Sequence, residues 1–262
     1  MLESIIDIVR RAGELIRSAN DVTAATHEKK GPADLVTEYD LAVQRFLRQE
    51  LLALLPEADF FGEEGQHETL TLPWTFIVDP IDGTTNFVRG FAYTNISVAL
   101  AKDGQVEYAV VYAPLAGELY AARRGGGATL NGRAIHVSGR DPGHSLVVCG
   151  STIYDRSYTE RHFAIMRYLY DRGLDYRRFG AAALDLCQVA AGRAEVFFEC
   201  RLSPWDFAAG SLLGQEAGGC VTTLEGTTID PLRPGSVFAA NALCGGLTAE
   251  LPVDKGIFSA NI

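Results

Sequence analysis

The sequence predicts an α/β protein, and three features carry that prediction. Amphipathic helical runs open the chain, hairpin-like strands fill its first half, and single strands alternate with helices in the second. The first helix is read over MLESIIDIVRRAGELIRSA, where Leu2, Ile5, Ile6, Val9 and Ile16 share one face. A second runs over 38–55: Thr37 and Asp40 form a T-x-x-D start, Leu41, Leu47, Leu51, Leu54 and Leu55 follow, and Pro56 stops it. An apolar strand from Thr75 to Val78 leads into an acidic turn, DPIDGTTNF. Between 93 and 137, ISVALA, VEYAVVYA and ELYAA are divided by Asp103-Gly104 and by Pro114 to Gly117, and Asn131-Gly132 closes another turn. This punctuation predicts antiparallel hairpins. LVVCG (146–150) then predicts a strand, and 157–172 a helix carrying Phe163, Met166, Tyr168 and Tyr170. Further helices over 182–192 and 205–218 flank a strand over 194–199. The polar, Pro/Gly-containing stretch SGRDPGHS (138–145) divides an N-terminal α+β half, 1–140, from a C-terminal α/β half, 141–262.

Composition narrows the class of function. The 262 residues carry 23 Lys plus Arg against 33 Asp plus Glu, a formal charge of −10, with 47% hydrophobic and 21% charged residues. That is an ordinary globular composition. The acidity argues against nucleic acid or an anionic membrane as partner, since both select basic surfaces. Glu3, Asp7, Arg10 and Arg11 interrupt any apolar core that a signal peptide would need. No uncharged apolar run approaches the roughly 18 residues of a membrane span. The five cysteines are scattered, odd in number and without a C-x-x-C pair, which predicts free thiols in a reducing cytoplasm.

The chemistry concentrates in Ile77-Val78-Asp79-Pro80-Ile81-Asp82-Gly83-Thr84-Thr85-Asn86. Two carboxylates end an apolar strand, and acids there need a cation or hydrogen-bond donors to offset their desolvation. Pro80 fixes the backbone, Gly83 permits close approach to a ligand, and Thr84, Thr85 and Asn86 can open a helix whose N–H groups face an anion. Hard divalent ions such as Mg²⁺ take oxygen ligands and bridge to phosphate, so metal and phosphate can meet at this turn. Asx-turn and capping chemistry is the structural alternative. No G-x-x-x-x-G-K-[ST] is present, and Gly125-Gly126-Gly127 completes no nucleotide fingerprint. The D-x-x-D spacing also differs from the D-x-D-G-T of phosphatases that form an aspartyl-phosphate.

With these residues in view, the chain resembles the inositol monophosphatase family. Asp34-Leu-Val-Thr-Glu-Tyr-Asp40 matches the family's first signature, Phe61-Gly-Glu63-Glu64 its acidic loop, Asp79 to Thr84 its main metal motif, and Trp205-Asp206-Phe-Ala-Ala-Gly210 its late motif. Arg124 to Ala128 through Asn131-Gly132 is similar to the family's middle segment, and the matches extend to about residue 220. The resemblance implies a layered αβαβα sandwich of the inositol monophosphatase/fructose-bisphosphatase type, in a homodimer. It implies two to three Mg²⁺ ions per site. Glu63, Asp79 and the Ile81 carbonyl stand for ligands of one ion, and Asp79, Asp82 and Asp206 for those of a second. Asp40 and Thr84, with Glu63 through its ion, are the implied catalytic group, activating water for direct attack on phosphorus. Ile81, Asp82, Gly83, Thr84, Gly180, Ala181, Ala182, Glu199 and Asp206 are the implied substrate contacts. Glu64 stands as a supporting acid, and Ser151 occupies a family-like position. Lys29 and Lys30 are read as charges on a loop before the first signature, and the five histidines as structural or surface residues. The implied activity is a Mg²⁺-dependent phosphomonoesterase acting on myo-inositol 1-phosphate. Other substrates of the family, which are fructose 1,6-bisphosphate, histidinol phosphate, NADP and phosphoadenosine phosphate, remain open, as does a non-catalytic regulatory protein on the same fold.

Overall fold

The computed structural model describes residues 1–23, 25–31, 34–65 and 69–252 of the chain. The first helix, α1 (Leu2–Arg17), buries Ile5, Ile6, Val9 and Ile16, as the spacing predicts. Strands β1 (Thr26–Gly31) and β2 (Asp34–Thr37) pair antiparallel, so Lys29 and Lys30 lie on a strand and not on the expected loop. The next helix, α2 (Glu38–Leu54), starts where Thr37 becomes its N-cap. The Thr37 hydroxyl accepts from the N–H groups of Tyr39 (3.1 Å) and Asp40 (3.3 Å), and Asp40 Oδ2 accepts from the Thr37 N–H (2.7 Å). Two orphan donors of the first turn are thereby satisfied within one tetrapeptide.

The chain then builds a seven-stranded sheet from β3 (Ala58–Gly62), β4 (Trp74–Asp82), β5 (Asn95–Lys102), β6 (Gln105–Ala113), β7 (Glu118–Arg123), β8 (Ala128–Leu130) and β9 (Arg133–Ile135), with the short helix α3 (Thr84–Val88) after β4. Spatial order follows chain order, and every pairing is antiparallel except β3 with β4. The turns Asp103-Gly104 and Asn131-Gly132 both have positive φ at each residue, the backbone that tight hairpins require.

A five-stranded sheet follows, assembled from β10 (Leu146–Cys149), β11 (Asp175–Arg177), β12 (Val196–Leu202), β13 (Cys220–Thr222) and β14 (Gly235–Ala240) in the order β11-β10-β12-β14-β13. Its helices are α4 (Thr159–Tyr170), α5 (Ala182–Ala190) and α6 (Pro204–Glu216). The helix expected over 157–172 is shorter and rotated. It buries His162, Ile165, Met166 and Leu169, while Phe163 and Tyr170 stay exposed. The strands β11, β13 and β14 were not legible; β11 and β13, three residues each, are too short for a periodic pattern and owe their form to the strands they pair with.

Alternation along the strands sorts the core into layers. Phe76, Val78, Ile96, Val98 and Leu100 pack with α1 and α2 on one face of the seven-stranded sheet. Ile77, Ala99, Ala101, Ala109 and Ala122 pack with Ala183, Ala208, Ala209 and Leu212 of α5 and α6 on the other. The opposite side of those helices, through Leu186 and Phe207, meets Phe197, Val237 and Ala239 of the second sheet, and α4 covers its far face. Helix, sheet, helix, sheet, helix is the layered αβαβα order the resemblance implied. The five cysteines are free, and no helix among the described residues is long and apolar enough to cross a membrane.

Candidate active site

The acidic motif is part of β4 itself, where a turn was expected. Pairing with β5 is regular from Trp74↔Lys102 to Asp79↔Ser97, then slips before Asp82↔Asn95. Pro80 has no N–H to give the ladder, so the strand bulges there. Asp79 and Asp82 both remain buried, at 2% and 7% exposure. Gly83 follows with φ +88°, and a Cβ on it would come within 3.1 Å of Ala181 Cβ and of the Tyr93 carbonyl oxygen. Only glycine combines that left-handed backbone with so close an approach. The turn after β4 therefore rests on the segment Gly180-Ala181, about a hundred residues away.

Asp82 fastens the contact. Its Oδ1 accepts from the Ala182 N–H (3.1 Å), and its Oδ2 from the Ala183 N–H (2.8 Å) and the Asn95 Nδ2 (2.8 Å). It serves as a cap in trans for α5, satisfying first-turn N–H groups that Ala181 cannot. Asp206 is the third residue of α6, and its Oδ2 accepts from the Ser203 N–H (2.7 Å) while the side chain stays partly open to solvent. Ser97 of β5 donates to the Trp205 carbonyl (3.2 Å), which holds the start of α6 against the first sheet. Glu63 extends β3 by one residue, its N–H donating to the Val78 carbonyl (3.0 Å), so it stands beside Asp79. Glu64 is held through its backbone by the Gln44 amide, at 2.9 Å and 2.6 Å.

Asp40 reaches the same place from α2. One of its oxygens holds Thr37, and the other, Oδ1, lies 3.2 Å from the Thr84 hydroxyl, which is also 3.0 Å from the Ile81 carbonyl. On the far side, Glu199 accepts from the Thr152 N–H (2.8 Å). It lies so close to Gly150 that a Cβ there would sit 1.7 Å from its Oε2. A cavity of about 540 Å³ joins these groups, lined by Glu63, Glu64, Asp79, Ile81, Asp82, Gly83, Thr84, Gly180, Ala181, Ala182, Glu199 and Asp206. Asp40 borders it through Thr84. Ser151 lies outside this cavity, lining a neighbouring hollow with Cys149 and His162. His162 is buried against Phe198, His27, His136 and His144 are exposed, and His67 lies outside the described residues.

The acids raise one another's affinity for protons. Burial holds Asp79 well above the usual carboxylate range, helped by the charges of Glu63, Asp82 and Asp206 and by a hydrogen bond with Glu63. Asp206 is raised well above it too, by burial and then by Glu63 and Asp82. Burial pushes Asp82 up to about 6 against its N–H donors, and Glu199 up to about 7 against the Thr152 N–H and the Arg178 charge. Among the described residues no three of His, Cys, Asp or Glu are gathered as a ready-made metal cluster. The acids ring the cavity without closing on one point. An all-oxygen donor set of mutually repelling carboxylates is still the chemistry that suits a hard divalent cation.

Several contributors escaped the sequence reading. Asn95 and the N–H groups of Ala182 and Ala183 hold Asp82. Asn86 donates to the Tyr93 (2.8 Å) and Phe179 (2.9 Å) carbonyls and so ties α3 to the Gly180 segment. Asp185 lines the cavity, accepts from the Tyr93 hydroxyl (2.7 Å) and is raised well above its usual range by burial. Its one available signal was being the only charge in the apolar helix AALDLCQVA. Arg178 and Arg201 also reach the cavity, with no motif to announce them.

Residues 1–252 match the model of the inositol monophosphatase family, and the chain belongs to that family. It is 40% identical over 244 residues to the inositol-1-monophosphatase of Rhizobium meliloti, covering 92% of this chain and 91% of that protein. It is equally 40% identical over 243 residues to the putative Nus factor SuhB of Neisseria meningitidis serogroup B, covering 92% and 93%. The crystal structure of extragenic suppressor protein suhB from Bartonella henselae superposes with a TM-score of 0.89 at 33% identity, over 97% of this chain and 98% of that one.

Proposed function

We propose that this member of the inositol monophosphatase family is a Mg²⁺-dependent phosphomonoesterase that hydrolyses myo-inositol 1-phosphate to inositol and phosphate. The observation that carries the reading is the convergence of Asp40, Glu63, Asp79, Asp82, Thr84 and Asp206, from three helices and two strand ends, on one cavity. The name of the Rhizobium meliloti relative supports the choice of substrate.

Glu63, Asp79, Asp82, Asp206 and the Ile81 carbonyl would hold two to three Mg²⁺ ions, which supply Lewis acidity and neutralise charge on the phosphoryl oxygens. The N–H groups of Gly83 and Thr84, on the cavity wall, hold phosphate oxygens. Thr84 orients the attacking water through its hydroxyl, and Asp40, fixed by Thr37, takes the water's proton at Oδ1. Glu199 accepts a hydroxyl of the polyol, steadied by Thr152, while the Gly180 to Ala182 segment forms the wall beside it. Ile81 and Asp82 complete that wall. The homodimer belongs to the same reading and rests on family resemblance, and the cytoplasmic setting rests on the scattered cysteines.

The test is phosphate release from myo-inositol 1-phosphate with and without Mg²⁺, beside fructose 1,6-bisphosphate, histidinol phosphate, NADP and phosphoadenosine phosphate. The highest kcat/KM is expected for the inositol ester. Stable labelling of the protein by ³²P-substrate would overturn direct attack by water. Release from no substrate would favour a second reading, a regulatory protein, to which the Nus-factor names of relatives point.

A further inference from the structure

The strand end that carries Glu63 is held from outside the cavity, and the reaction proposed above gives that hold no role. β3 is an edge strand of the seven-stranded sheet, and it ends at Gly62. One further bond, from the Glu63 N–H to the Val78 carbonyl (3.0 Å), keeps Glu63 beside β4. Glu64 comes after the strand has ended, and its backbone groups turn to Gln44 of α2. Gln44 Oε1 accepts from the Glu64 N–H (2.9 Å), and Gln44 Nε2 donates to the Glu64 carbonyl (2.6 Å). A side-chain amide carries a donor and an acceptor side by side, so it stands in for the peptide of a neighbouring strand.

The surroundings of Gln44 fix this clamp in place. Gly62 admits it, since a Cβ there would lie 2.5 Å from Gln44 Oε1 and 2.9 Å from its Cδ. Val43 and Leu47, on either side of Gln44 in α2, are buried in the core shared with Phe60 of β3, so the helix beneath the amide is seated on the sheet. Gln44 follows Asp40 by four residues, which puts the two on one face of α2, a single turn apart. Asp40 Oδ1 lies 3.2 Å from the Thr84 hydroxyl, so the same turn of helix supports both the proton acceptor and the strand end beside Glu63. Glu63, Glu64 and Gly65 line the cavity and Gln44 does not. Any effect of Gln44 on the site therefore passes through the peptide it holds.

We propose that Gln44 is a positioning residue, which fixes Glu63 for the cation by clamping the Glu64 peptide from α2. The role deepens the phosphomonoesterase reading and rests on its assignment of Glu63 to a cation, but it is readable without turnover. Without the amide, the N–H and carbonyl of Glu64 turn to water, and Glu63 meets the cation from a looser strand end. Groups that orient a metal ligand without touching the metal are worth about 10- to 100-fold in metal affinity.

Calorimetric titration of the full chain with Mg²⁺, in the absence of substrate, tests the clamp. Gln44→Met keeps the length of the side chain and removes both hydrogen bonds, and it should weaken Mg²⁺ binding by about 10- to 100-fold. In EDTA, exchange of the Glu64 amide hydrogen should quicken in the same variant. On myo-inositol 1-phosphate, the Mg²⁺ concentration for half-maximal rate should rise in step with the binding, while kcat at saturating Mg²⁺ falls far less. A residue that only stabilised the fold would lower Tm and leave Mg²⁺ affinity where it was. Unchanged affinity in Gln44→Met, or a wild type that binds no Mg²⁺, overturns the clamp. Should Gln44→Met not fold, Gly62→Ala decides in the same way, because its methyl group displaces the amide from the other side. Weakened binding in a protein that releases no phosphate from any ester keeps the clamp and removes the phosphatase. Full activity beside an affinity indifferent to Gln44 removes the clamp alone.

Discussion

Asp82 shows at single-residue scale why a motif acid cannot be read as a ligand alone. Its two oxygens accept three N–H donors from Asn95, Ala182 and Ala183. Asp82→Asn turns one oxygen into a donor facing donors, so it should lower stability in urea by about 1–3 kcal/mol as well as abolish phosphate release. Unchanged activity in that variant would remove Asp82 from the metal site. Glu199 makes a separate prediction about pH. Burial lifts its carboxyl from 4.5 to about 7, so the folded protein binds that proton more tightly than the unfolded chain. The stability this confers is complete below about pH 4.5 and is lost as pH rises to 7. In metal-free protein, Glu199→Gln should keep the Thr152 contact and escape this loss. Its Tm relative to wild type should climb between pH 4.5 and 7 and level off above. Parallel Tm curves would show that Glu199 titrates normally.

At the scale of elements, the helices that open on the site share one device. Asp40 and Asp206 are each the third residue of a helix and each accept from the N–H of the residue before it. Capping fixes the carboxylate's position without long-range contacts, and for Asp40 that local T-x-x-D spacing was legible. Asp206 was found through the family's late motif, and its capping role is visible only in the structure. Thr37→Ala should cost about 1–2 kcal/mol in denaturant unfolding. It should also lower kcat by loosening Asp40, and Thr37→Ser should recover most of both. Normal kcat in the alanine variant would detach the cap from the chemistry. The acids of β4 were legible as a string but not as a strand, since their backbone follows β5 around the Pro80 bulge. The edge strands β11 and β13, three residues each, carry no periodic signal at all.

For the whole molecule, α5 and α6 lie between the two sheets, so residues from both halves of the chain form one cavity. The acids collected there repel one another, and a cation should relieve that repulsion. Saturating Mg²⁺ is expected to raise Tm by several degrees over EDTA-treated protein, since ligand at about 100 times its Kd adds about 2.7 kcal/mol. Asp79→Asn should blunt the shift. A Tm indifferent to Mg²⁺ in wild type would count against the donor set. Cations in the cavity would reverse the sign of the local charge where a phosphate binds.

The linear chain was enough to specify its class, the cap of its second helix, its hairpin turns and the acidic string of β4, because each is written in short-range spacing and in side chains that burial would otherwise penalise. Glu63 and Asp206 were legible only through the family resemblance. Folding alone decided which distant groups hold those acids. The Ala182 and Ala183 N–H groups on Asp82, Gly150 against Glu199, and Arg178 and Arg201 on the cavity wall come together only when two sheets close on α5 and α6. Their residue types carry no signal of their own, since a backbone N–H, a missing Cβ or an exposed arginine acquires its meaning from what packs opposite.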